Sequence, residues 1–232
     1  MRKLLVFLIV IGVLAVGGDR LAARLVANEA ERRLVAEGFT GPSVRMHGFP
    51  FLTQLAARDF SRVTVTADGV DAGAGEARGI SAELTDVRSP GSGPVQIGAI
   101  TASGTVPYDV VTRAVGSPSL HLTPAPNGQV QVTRTVQAAG QNFDVVARAR
   151  VLARGTRLSI VPTALEVAGR LSLGTALSAL LADRVAIVYA IPDLPAGVQI
   201  ERVTAAESGF LVRVTGRDLS VTVSALGITA PQ

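Results

Sequence analysis

A chain of 232 residues without a single cysteine excludes a disulfide framework, a thiolate metal site, a cysteine nucleophile and a lipidated-cysteine anchor. Hydrophobic residues make up 48% but aromatics only 4%, with no Trp, so the apolar content is Val, Ala, Leu and Ile, which suit pleated strands and smooth aliphatic walls. The formal charge of +4 includes Arg2 and Lys3; the rest carries about +2 with no basic run, which argues against nucleic acid as a partner and leaves mild attraction to anionic lipid.

Arg2 and Lys3 precede an uncharged run from Leu4 to Gly18, the n-region and h-region of an export signal. The run falls short of the ~20 residues of a relaxed membrane span, and no Ala-x-Ala site follows Gly17-Gly18. Residues 1–18 are therefore a signal sequence or an anchor. The reading favoured is an exported protein, periplasmic or at the outer face of the cytoplasmic membrane, held there by residues 4–18. Asp19 to Gly38 reads as a helix, with Leu21, Leu25 and Leu34 near helical spacing and Gly38 as a stop. Its Arg20, Arg24, Arg32 and Arg33 are either solvated helix charges or contacts to lipid headgroups.

Two of the seven Phe, Phe49 and Phe51, bracket Pro50, which fixes its own φ and biases Phe49 toward an extended backbone. Phe51, Leu52 and Leu55 then share one face of a short helical turn. The group is a hydrophobic plug, closing one end of a core or touching lipid.

From Val44 onward the period is two. Val63, Val65 and Ala67 alternate with polar residues, as do Ile80, Ala82 and Leu84, then Val130 and Val132, then Phe143, Val145, Ala147, Ala149 and Val151. Leu158 and Ile160 follow an Arg154-Gly155 turn, and Phe210, Val212, Val214, Leu219, Val221 and Val223 close the pattern. Such alternation predicts antiparallel strands with one dry and one wet face. Turns are expected over 69–79, 89–94, 123–128 and 193–197. Helices are expected at 107–115, opened by Pro107, and at 171–181, with Pro162 and Gly169 bounding the strand between.

The fold expected is mainly β with a few helices (α+β). It is one strongly curved antiparallel sheet or an elongated barrel-like roll packed with two or three helices, preceded by an N-terminal membrane helix. Residues 19–232 form a single domain, since no segment is long enough for a linker. About nine half-apolar strands and few large aromatics fill a wide roll poorly, and unfilled apolar volume stays dry and accepts hydrocarbon. The candidate wall is Phe49, Phe51, Leu52 and Leu55 at the plug; Phe143, Val145 and Ile160 on the central hairpin; Leu177, Leu180 and Leu181 on the apolar helix; and Phe210 and Val212 on the last strands. The alternative is an ordinary β-sandwich whose sheets fill each other's space.

Nothing points to catalysis, a cofactor or a metal. His47 and His121 lack a carboxylate or nucleophile partner at a recognisable spacing, and no hydrolase elbow, Walker loop or metal-ligand cluster occurs. The sequence is read as non-enzymatic.

Two stretches carry a resemblance. The first runs from Arg45 through His47, Gly48, Phe49, Pro50, Phe51, Leu52 and Thr53 to Leu55, and on through Phe60-Ser61-Arg62-Val63-Thr64-Val65. The second is Ile191-Pro192-Asp193-Leu194-Pro195-Ala196-Gly197-Val198 with Gly209-Phe210-Leu211-Val212-Arg213-Val214-Thr215-Gly216. Together they resemble the actinobacterial LmeA-type phospholipid-binding family (lipomannan elongation factor). The resemblance implies an envelope protein that carries phospholipid in an elongated β-structure similar to tubular lipid-binding domains, supporting lipid or lipoglycan assembly with envelope-biosynthesis proteins as partners. Against it stands a non-enzymatic envelope scaffold with a filled core that binds protein partners through its sheet edges.

Overall fold

The computed structural model describes residues 2–90, 93–138, 141–167, 187–190 and 196–221. Helix α1 (Arg2–Ala36) is followed by short strands β1 (Phe39–Thr40) and β2 (Ser43–His47), then helix α2 (Phe51–Ala57). Three long strands come next, β3 (Asp59–Asp71), β4 (Glu76–Arg88) and β5 (Val95–Val106), and then helix α3 (Tyr108–Val115). The remainder is β6 (His121–Ala125), β7 (Gln129–Ala138), β8 (Gln141–Arg154), β9 (Arg157–Val167), β10 (Ile187–Ala190), β11 (Val198–Ala206) and β12 (Gly209–Val221).

These strands make two antiparallel sheets, neither closed. One has the order β1-β3-β4-β5-β12-β11 with β2 paired to β3; the other has the order β10-β9-β8-β7-β6. The single rolled sheet expected from the alternation is thus replaced by two open ones. The physical reason is local pairing: among the described residues β6 to β10 pair in the order of the chain, each strand with the next.

Contacts group the chain into two compact units, Met1–Asp68 with Ser81–Thr101 and Arg217–Gln232, and Gly69–Ile80 with Ala102–Gly216. In the first unit, α1 begins at Arg2, not Asp19, so the leader and the expected helix are one backbone element. No proline interrupts it, and Gly17 and Gly18 cost only about 1 kcal/mol each relative to Ala. Among the described residues no helix is long and apolar enough to cross a membrane. The Glu31 carboxylate accepts from the Val44 backbone N–H at 2.8 Å, tying β2 to α1.

The second unit holds the core. Leu120, Leu122, Val130, Val132, Val145, Ala147, Ala149 and Ile160 are buried against Ile200, Val203, Ala205 and Phe210 of β11 and β12. Alternation therefore packs these inner faces against one another in one hydrophobic cluster. The β8–β9 hairpin turns at Gly155, whose positive φ of 60° suits the first loop position of a two-residue turn, and the Gly155 carbonyl accepts from the Ile200 N–H at 2.9 Å.

Three strand boundaries differ from expectation. The turn expected over 69–79 shrinks to Ala72–Gly75, because the small residues on either side pair in β3 and β4. Pro162 does not end β9: the register shifts there, Thr163 is the extra residue, and its hydroxyl donates to the Arg148 carbonyl at 3.0 Å. Much of the segment 123–128, expected as a turn, is strand β6 paired to β7, followed by a short 3-10 turn. The expected helix at 171–181 lies outside the described residues.

Gly209 opens β12 at a positive φ of 145° and is buried. A Cβ there would collide with the Val106 carbonyl oxygen and come within 2.8 Å of the Pro107 Cα, both rigid backbone. Gly209→Ala is expected to cost about 2 kcal/mol, combining disfavoured backbone with a displaced corner. A fall in the denaturation midpoint at unchanged slope checks it.

Candidate functional site

The second unit contains a cavity of about 350 Å³ beside its filled core. Helix α3 supplies Val110, Val111, Ala114 and Val115; the β3–β4 turn supplies Ala72 and Ala74; Val106 ends β5. The opposite wall is Val151, Leu158 and Ile160 from the β8–β9 hairpin, with Val203, Phe210 and Val212 from β11 and β12. Every lining residue has a hydrocarbon side chain. Val110, Ile160, Val203 and Phe210 are buried and form the floor, while Ala72 and Ala114 are exposed and mark the mouth.

Local chemistry fixes this arrangement. Pro107 pre-sets the entry to α3, and Gly116, at a φ of 67°, caps its end. Val110, Val111, Ala114 and Val115 recur at helical spacing, so one face of α3 is apolar and turns inward. The Tyr108 hydroxyl donates to the Ala206 carbonyl at 2.7 Å, and its ring meets Phe210 edge-on at 4.9 Å, pinning the helix to the β11–β12 hairpin. Across the mouth, Arg113 Nε donates to the Ala74 carbonyl at 2.6 Å, strapping the β3–β4 turn onto α3.

In the first unit the plug takes shape as α2. Phe51 is only 1% exposed and packs on Phe60 with ring centroids 6.0 Å apart. Phe49 and Leu52 face outward, 58% and 49% exposed, and Leu55 is half-buried. Asp19 of α1 is buried, and its Oδ1 accepts from the Leu52 N–H at 2.8 Å. Burial pushes the Asp19 carboxyl up, but the Phe51 and Leu52 backbone N–H groups and the Arg20 guanidinium outweigh it and leave it below the usual aspartate value. The contact therefore stabilises the α1–α2 junction fully above about pH 4 and is lost as pH falls through the lowered native value. Asp19→Asn removes that acid sensitivity; the protection of the Leu52 amide relative to its intrinsic exchange rate, followed against pH, should fall on the acid side in the wild type and not in the variant.

The residues singled out in the sequence scatter over both units. Ile160, Phe210 and Val212 line the cavity. Val145 is fully buried in the core cluster and does not line the cavity. The side chain of Phe143 and all of Leu177, Leu180 and Leu181 lie outside the described residues. Arg20 stands over the Phe49 ring at 5.9 Å, Arg32 and Arg33 pair with Glu29, and Arg24 is exposed on α1. His47 Nε2 lies 2.9 Å from the Thr64 hydroxyl. Among the described residues no three His, Asp or Glu gather as a metal site would require. The α3 wall and Asp19 went unseen in the sequence, although the Val110, Val111, Ala114, Val115 stripe carried the signal for the first.

No curated protein and no solved structure matches the chain. The model of the LmeA-like phospholipid-binding family matches residues 17–225, from the exposed glycines of α1 past the end of β12. That match takes in most of the chain and both units, and the protein belongs to the LmeA-like phospholipid-binding family.

Proposed function

We propose that the protein binds a phospholipid by seating an acyl chain in the α3 cavity, and that it carries or presents this lipid at the outer face of the cytoplasmic membrane in support of envelope lipid or lipoglycan assembly. The observation that carries the reading is the all-hydrocarbon lining. Such side chains offer water no hydrogen-bonding partner, and each methylene moved against them from water contributes about 0.8 kcal/mol without any directional partner. A cavity of roughly 150 Å³ takes benzene; on that scale 350 Å³ takes about a dozen carbons, part or all of one chain.

The apolar run Leu4–Gly18 supports membrane tethering, and α1 carries that run directly into the body. Just beyond it Leu21, Leu25, Phe49 and Leu52 are exposed near Arg20 and Arg24, a pattern that suits the boundary between acyl chains and anionic headgroups. The chain has no Trp, so a single Phe49→Trp reports without background. In full-length protein reconstituted into vesicles, its fluorescence should be quenched by lipids brominated on the acyl chain. An unquenched indole would place the plug in water.

The scaffold reading shares the filled core but gives the cavity no work. Native mass spectrometry of the purified full chain separates the two. Bound phospholipid, recovered by solvent extraction, is the expected result; a clean apo species supports the scaffold.

A further inference from the structure

We infer that Arg113 is the residue that receives the phosphate of the bound amphiphile, at the mouth of the α3 cavity; the inference rests on reading that cavity as an acyl-chain site. Three observations place the guanidinium there. Its Nε bonds to the carbonyl of Ala74, a lining residue. A Cβ on Gly75 would meet both an Arg113 terminal nitrogen and, at 2.8 Å, the Val110 Cγ2 methyl, so the cation and a side chain of the lining lie beside the same glycine. The Arg113 side chain is itself 55% exposed, and Ala114 beside it in sequence is exposed and lines the cavity. A polar head would remain hydrated here while its chain is buried.

The chemistry of the group fits a phosphate. Guanidinium presents five N–H donors in a planar fork matched to phosphate oxygens. One is spent on Ala74, and one terminal nitrogen lies 3.0 Å from Asp109 Oδ2 on the preceding helical turn. The Arg113 and Asp109 side chains are 55% and 65% exposed, so their pairing is cheap to rearrange when a second anion arrives. Asp109 is then a competitor for the headgroup, and its carboxylate repels a phosphate from the same mouth. A structural strap alone would not care about Asp109 in this way.

The test uses the full chain held in an uncharged amphipol and loaded with an uncharged pyrene-labelled alcohol, displaced in turn by dodecyl phosphate, dodecanol and inorganic phosphate. Arg113→Gln should raise the concentration of dodecyl phosphate needed for half-displacement about tenfold more than it raises that of dodecanol at low salt, the loss of a charged hydrogen-bonding partner. Arg113→Lys, which keeps the charge but not the fork, should fall between. Asp109→Asn should lower the dodecyl phosphate value several-fold. Inorganic phosphate should displace nothing, showing that the site takes a phosphate only on an alkyl chain. Equal shifts for dodecyl phosphate and dodecanol, or no shift for either, overturn the role of Arg113 while the cavity reading survives. Displacement by inorganic phosphate overturns it too, since the head and chain would then not share one site. A wild-type chain that takes up neither the pyrene alcohol nor either dodecyl compound overturns the cavity reading itself.

Discussion

Full-length protein carrying Ala114→Trp is expected to purify with at least tenfold less phospholipid than the wild type. Ala114 is exposed and lines the mouth of the cavity from the apolar face of α3. An indole there fills space that an acyl chain would cross, and a cavity of about 350 Å³ has little room to spare. Because the position is exposed, folding should hardly change: Trp costs only about 0.5 kcal/mol more than Ala in a helix. Native mass spectrometry checks occupancy, and the fluorescence of the chain's one indole shows whether it sits in an apolar space. Ala114→Ser, small and exposed, should retain lipid. Equal lipid content in the Trp variant would show that the chain does not pass this mouth.

Phe210→Ala is expected to have the opposite profile. Phe210 is 4% exposed and belongs both to the core cluster and to the cavity floor. Truncating a buried Phe costs about 3–5 kcal/mol, and losing its edge-on contact with Tyr108 accounts for part of that, about 0.5–1.5 kcal/mol. At roughly 2–4 °C per kcal/mol for a chain of this size, Tm should drop by about 10 °C. The cavity only grows, so the folded fraction should still bind lipid at low temperature. Calorimetry with lipid extraction at 4 °C separates the two quantities. A small Tm change would mean that α3 and the β11–β12 hairpin are not held together by this ring pair.

Two variants that dissociate stability from occupancy also show what the sequence made readable. Alternation found β7, β8, β9 and β12, whose inner faces supply much of the core, and helical spacing found α2 from Phe51, Leu52 and Leu55, and α3 from Pro107. Both are local signals, and local signals survive without the tertiary structure. What failed was non-local. The pattern of β11 is interrupted because Glu201 is an extra residue between Ile200 and Arg202, which breaks the period of two in the middle of the strand. β5 is rich in Gly, Ser and Thr and lacks a clean apolar face. Ala72 and Ala74 sit in a glycine-rich segment that reads as solvated loop, yet the Arg113 strap folds them over an apolar space. Asp19 read as a charge flanking an export signal, because only the fold brings the Phe51 and Leu52 amides to it.

Where the hydrocarbon of a bound lipid lies is the question on which everything else turns. A phospholipid bearing a photoactivatable diazirine near the end of one acyl chain, exchanged into the full-length protein and cross-linked, answers it by peptide mapping. Adducts on Val106–Val115, Val151–Ile160 and Val203–Val212 are the expected result, lost in Ala114→Trp. Adducts confined to Leu21, Leu25, Phe49 and Leu52, or unchanged by Ala114→Trp, would mean that lipid only coats the protein and that the α3 cavity holds no chain.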